Sequence, residues 1–272
     1  MTELNLLRVL LLVGFVLAPL GTHRLLMPPS RLGTTAHAAA FVCAAIGLFA
    51  IPLLCVGWLV FTAGSFARFL RHANLRSPYG LASCVPFAFS NIAAVWLVGG
   101  ANEVEILGYG ETFSYYAALH GNVLGWMMVG AIAVLAAQDR PYRRLYLASV
   151  LVCFGSFLII AIGIKSLPAI KPVGVLGLSV MIPIAQLAFL RSVWRTHKVP
   201  FALGCTSFLG LAFTMMLAWQ NELGVVSLPG LLGVRTMVSV HGLINILVVA
   251  PCFLLAVVLA SLQKKKTKLD VA

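Results

Sequence analysis

Two histidines lie inside long apolar runs. His120 belongs to Tyr115-Tyr116-Ala117-Ala118-Leu119-His120-Gly121-Asn122-Val123-Leu124-Gly125, and His241 to Val240-His241-Gly242-Leu243-Ile244-Asn245. An ionisable side chain in hydrocarbon costs about 2.5 kcal/mol or more, which makes it a functional candidate by default. Two imidazoles brought together supply a general acid and a general base. On a helix, His241 and Asn245 are i and i+4 and share a face. His120 shares its face with Tyr116, whereas Asn122 points to another neighbour. The plainer alternative for each histidine is a buried polar link between two helices.

Other polar residues extend this pair. Glu103 and Glu222 each follow an asparagine, Asn102 and Asn221, at the ends of two apolar runs. A carboxylate at an apolar mouth can exchange a proton with the histidines; the plainer reading is a solvated loop. The catalytic candidates are therefore His120, His241, Glu103 and Glu222. Asn245, Asn91, Tyr116, Asn122 and Trp126 are the candidates to hold a substrate, with packing or interface anchoring as the plainer role for Trp126. Glu111 opens a helix, where its charge suits the N-terminal dipole, and Arg235 is placed to neutralise Glu222 or Glu111. The six cysteines all fall within apolar runs and form no CxxC pair, so neither a disulfide frame nor a metal site is expected. No Ser-His-Asp set, phosphate loop or dinucleotide fingerprint suggests another chemistry.

The elements that must position these residues are membrane helices. Of 272 residues 61% are hydrophobic and 10% charged, with a mean hydropathy of +1.02. A soluble domain of this size carries far more polar surface. The spacing predicts an all-α bundle of nine spans, near Leu4–Gly21, a hairpin over Leu32–Leu70 turning at Gly47–Pro52, then Leu81–Gly99, Thr112–Ala137, Leu145–Ile164, Val173–Leu190, Pro200–Trp219 and Thr236–Leu262. With the N-terminus outside, 15 of the 19 Lys and Arg fall on the cytoplasmic side; Arg8, Lys165, Lys171 and Arg235 do not. That asymmetry sets the orientation and supports an odd number of spans. The net charge of +12 is thereby topological, and the lysines of the 264–272 tail anchor it on anionic headgroups rather than on nucleic acid.

The chain also repeats weakly. Phe69-Leu70-Arg71 returns as Phe189-Leu190-Arg191, Leu81-Ala82-Ser83-Cys84 as Ala202-Leu203-Gly204-Cys205, Asn102-Glu103 as Asn221-Glu222, and His120-Gly121 as His241-Gly242, at offsets of 119 to 121. The predicted arrangement is a leading helix (1–31) and two parallel four-helix repeats (32–137 and 145–263) in one membrane domain. The last helices of the repeats then become mates, with their histidines roughly 10–12 Å below the outer surface at about 1.5 Å per residue.

Leu107-Gly108-Tyr109, followed eleven residues later by His120-Gly121-Asn122-Val123-Leu124-Gly125, resembles the YndJ-like family of multi-spanning membrane proteins. There a Leu-Gly-Phe element precedes a His-Phe-His-Tyr-Ala-Gly helix, and His241-Gly242-Leu243-Ile244-Asn245 is similar to the second motif, His-Gly-x-x-Asn. The resemblance implies that His120 is the first histidine of the first motif, and that His241 and Asn245 belong to the second. Asn122 stands where the family shows its second histidine. The family's loose label is transporter-like.

Four functions follow as expectations. One is a cofactor-independent intramembrane enzyme performing isomerisation, cyclisation or ring opening on a small lipophilic substrate from the lipid bilayer. The others are a small-molecule transporter, a membrane protein holding haem b between His120 and His241, and an assembly subunit with no site.

Overall fold

The computed structural model describes residues 2–138, 141–224, 234 and 236–270, with backbone alone at 24, 165 and 264–270. Nine helices among the described residues are long and apolar enough to cross a membrane. They are α1 (Glu3–Leu25), α2 (Arg31–Phe49), α3 (Val56–His72), α4 (Val85–Ala101), α5 (Glu111–Gln138), α6 (Arg143–Lys165), α7 (Lys171–Val193), α8 (Lys198–Glu222) and α9 (Met237–Asp270). Local chemistry sets the starts. The hydroxyl of Thr2 accepts from the N–H of Asn5 and that of Ser30 from Gly33, each at 3.2 Å, as N-caps do. The predicted hairpin turns after Phe49, and Pro52 opens the short 3-10 turn that leads into α3.

Helix α5 is the mast of the bundle. Over its apolar window 89% of residues are buried, against 22% for α2 and 39% for α9. A bilayer offers no hydrophobic drive for one helix to join another, so close van der Waals packing must do it. Small residues allow that approach. A Cβ on Gly121 would lie 2.7 Å from Cβ of Ala93, and one on Gly125 would lie 2.2 Å from the Phe89 ring, both on α4. Exposed Leu32, Val60 and Leu209 lie on the periphery.

Both histidine motifs interrupt their α-helices with π turns. Those of α5 run over Gly121–Val129, and those of α9 over Met237–Gly242 and Asn245–Val249. Such turns widen the backbone locally and recur at functional sites. The two helices pack together through their lower halves and part company in their upper halves, the end that carries Glu3, Glu111 and Glu222. Helix α1 fills one side of the resulting V, and α6, α7 and α8 wall the other, leaving a chamber of about 970 Å³.

Candidate functional site

His120, His241, Tyr116, Asn245 and Glu222 all line this one chamber. His120 is exposed although its helix is the most enclosed of the nine, because the surface it presents faces the chamber.

The tautomers follow from the hydrogen bonds. Nδ1 of His120 lies 2.8 Å from the carbonyl oxygen of Tyr116, and Nδ1 of His241 lies 3.0 Å from that of Thr214. A carbonyl only accepts, so each Nδ1 carries the proton and donates it. Each Nε2 is left with a lone pair and no hydrogen-bond partner among the described residues. That atom can take a proton or coordinate a metal.

His241 is held by a closed triangle. Its ring donates to the Thr214 carbonyl on α8, and Asn245 Nδ2 donates to the His241 carbonyl at 2.8 Å. The Thr214 hydroxyl is 3.2 Å from Asn245 Oδ1 and 3.1 Å from the Leu211 carbonyl, so its single proton serves one of them at a time. Asn245 thus lines the chamber while its amide is engaged in holding its own helix against α8. The sequence pattern placed Asn245 beside His241 but carried no sign of Thr214, which lies on another helix.

At the upper end, Glu222 pairs with Lys171 at 2.5 Å, joining α8 to α7 at the chamber wall. The Tyr116 hydroxyl donates to Glu3 Oε1 at 2.5 Å, which brings in a carboxylate that periodicity alone did not single out. Glu111 pairs with Arg8 at 3.1 Å. Among the described residues, the cations beside Glu222 and Glu111 are therefore Lys171 and Arg8. Arg235, expected in that role, lies outside the described residues, as does Arg140; the side chains of Arg24 and of the lysine tail do so too.

Glu103 is not at the chamber. It is exposed, with φ of 55°, while Glu222 is only 11% accessible. The difference is one of capping frame. Helix α4 ends at Ala101 with Asn102 as C-cap, so Glu103 occupies the left-handed position beyond it. The N–H of Val104 reaches the Gly99 carbonyl at 2.9 Å and that of Glu103 reaches Gly100 at 3.3 Å, the paired bonds of a Schellman ending. Helix α8 runs on through Glu222, with Leu223 as C-cap, and leaves the left-handed position to Gly224, φ +64°. The matching Asn-Glu pairs are thus two residues out of register in structural terms, so their carboxylates point differently.

Three further candidates sit elsewhere. Asn91 donates to the Phe87 carbonyl at 2.8 Å and faces Thr62 of α3 at 3.4 Å, a link between α3 and α4. Asn122 is fully buried, donates to the Ala118 carbonyl at 2.8 Å and lies beside Gly14 of α1. Trp126 is fully buried, with its indole N–H on the Thr22 hydroxyl at 2.8 Å. Two histidines that the apolar-run argument passed over, His23 and His37, join Trp58, Phe61 and Trp126 in an aromatic cluster apart from the chamber. Both fall close to the predicted span ends, where a polar ring is unremarkable in sequence.

Among the described residues no group of three or more His, Cys, Asp or Glu is arranged to hold a metal ion. The two free Nε2 atoms are the groups that could ligate a cofactor in the chamber. No curated protein and no solved structure matches the chain. The family described as YndJ-like protein matches residues 7–249, a stretch that holds both histidine motifs and nearly the whole chamber wall, and the chain belongs to that family.

Proposed function

We propose that this protein is an intramembrane enzyme that moves protons on a small lipophilic substrate held between α5 and α9, in an isomerisation, cyclisation or ring opening. The observation that carries this reading is the pair of imidazoles lining one chamber, each with Nδ1 tied to a carbonyl and Nε2 open. With one proton shared between the two rings, the neutral Nε2 withdraws a proton from the substrate while the imidazolium Nε2 delivers one. The carbonyl on each Nδ1 fixes the tautomer and the ring plane. Proton transfer between the rings, directly or through the Glu222 end of the chamber, restores the starting state. No diffusible cofactor is required for such a reaction.

The basic-residue asymmetry puts the upper face outside, with the N-terminus there and the C-terminus cytoplasmic. The π turns that α5 and α9 both take beside their His-Gly steps support the reading of two duplicated four-helix modules, 32–137 and 145–263.

The test is turnover of lipid extracts from the source organism by purified protein in detergent, without a membrane gradient. Product should form, and His120→Ala and His241→Ala should each abolish it while the protein remains folded. Normal turnover in both variants defeats the reading. A second reading rests on the same open Nε2 atoms: a haem b ligated by both rings. A Soret band in the purified protein, lost in either alanine variant, would favour it over the first.

A further inference from the structure

The chamber has a seam on its α5–α6 side and a charged end at Lys171 and Glu222. This inference rests on the reading of the chamber as a site for a lipophilic ligand. Helix α6 packs along the lower third of α5, over Gly130–Gln138, and stands away from Glu111–His120. In the seam so opened, Phe113 and Ala117 on α5 and Phe157 and Ala161 on α6 all line the chamber.

Aromatic rings bridge the top of that seam. Tyr109 stacks on Phe113 at 3.9 Å between centroids, and the Trp96 edge meets both, at 6.0 and 5.5 Å. The Tyr109 hydroxyl reaches across to the Ala161 carbonyl at a long 3.4 Å. Tyr109 follows a loop in which Glu103, Leu107 and Gly108 all have positive φ. The water-side mouth is different. There the Lys171–Glu222 pair joins α7 to α8, and α6 lies so close that a Cβ on Gly163 would be 2.7 Å from the Lys171 side chain.

A long apolar chain loses about 0.8 kcal/mol per methylene on leaving hydrocarbon for water. Passing from bilayer to chamber through the seam avoids that step; arrival through the charged mouth does not. The floor, with Met128, Ile182, Leu211 and Val249, is apolar.

We propose that the ligand is a single-chain amphiphile drawn sideways from the bilayer through the α5–α6 seam, with Trp96, Tyr109 and Phe113 as its hatch and its chain laid on the apolar floor.

The experiment places full-length protein in phosphatidylcholine vesicles containing palmitic acid with a diazirine at its chain end, irradiates them, and maps adducts by peptide mass spectrometry. Wild type should carry adducts on the Val123–Met128 segment, none of whose residues is exposed on the outside of the bundle. Ala161→Trp, which fills the seam, should reduce them about ten-fold or more, as a blocked gate does. Phe113→Ala, which thins the hatch, should raise the initial labelling rate several-fold, and serves should the tryptophan variant not fold. Floor labelling that survives Ala161→Trp or has an unchanged rate in Phe113→Ala overturns the lateral route but leaves the chamber as a lipophilic site. Absence of floor adducts in every protein overturns the lipophilic reading itself.

Discussion

Helices α5 and α9 carry the same His-Gly step and both take π turns near it, yet hold their histidines in different ways. On α5 the imidazole donates to its own helix, to the carbonyl of Tyr116 one turn earlier. On α9 it donates across to α8, at Thr214. Helix α5 is surrounded, so the rest of the bundle fixes where its backbone lies and the ring needs only a local tether. Helix α9 is less than half as enclosed over its apolar window. Its side-chain and backbone bonds to α8 set the position that burial sets on α5. One motif can thus sit on a rigid mast or on a tied outer helix, provided a second carbonyl is available.

This comparison can be broken in several places. The largest effect is expected from the rings themselves. Losing either His120 or His241 should lower turnover by about 10²–10⁴, the usual worth of a general acid or base. A much smaller loss in one of them would mean that only the other ring works on the substrate.

The glycines separate the helices next. Gly121→Ala drives a methyl to 2.7 Å from Cβ of Ala93, whereas at Gly242 the nearest atom to the new methyl is Leu10 Cδ1 at an ordinary 3.5 Å. Thermal unfolding in detergent should show Gly121→Ala destabilised by about 1–3 kcal/mol, as overpacking costs, and Gly242→Ala within about 0.5 kcal/mol of wild type. Equal effects would remove the distinction between mast and outer helix.

Asn245→Ala deletes two sides of the triangle while sparing the ring. We expect it to lower turnover by about ten-fold through a loosened His241, as the loss of a supporting hydrogen bond does. If turnover is unchanged, the Thr214 carbonyl alone suffices to hold the ring.

The two carboxylates provide the smallest contrast. Glu222→Gln strands Lys171 at the chamber wall and should cost about 1–3 kcal/mol, below the about 3–5 kcal/mol of a fully buried pair because both groups retain some exposure. Glu103→Gly should instead stabilise by about 0.5–1 kcal/mol, since the left-handed position beyond a helix end favours glycine. A loss of turnover in Glu103→Gly would return that carboxylate to the site.

Much of this was legible in the order of residues. The nine spans, the hairpin turn near Pro52, the shared face of His241 with Asn245 and that of His120 with Tyr116 all follow from hydropathy and a period of 3.6. The Asn-Glu pairs were legible as a repeat but not as a difference. Their directions depend on whether the helix stops before the glutamate or runs through it, and one residue of helix turns a side chain by about 100°. Asn91, Asn122 and Trp126 read as site candidates because each is polar or amphipathic at membrane depth. In the folded chain each meets a neighbouring helix instead, at Thr62, Gly14 and Thr22.

The amino-acid order alone determined that this chain is a bundle of membrane helices with two histidines inside its spans, because the cost of polar groups in hydrocarbon acts locally and shows in any window of about twenty residues. Only the tertiary structure decided that the two rings share one chamber, that α5 and α9 part at the top to make it, and that Thr214, Glu3 and Lys171 complete its walls. Those contacts join residues more than twenty-five positions apart, and which carbonyl or cation stands opposite a side chain is set by how whole helices cross.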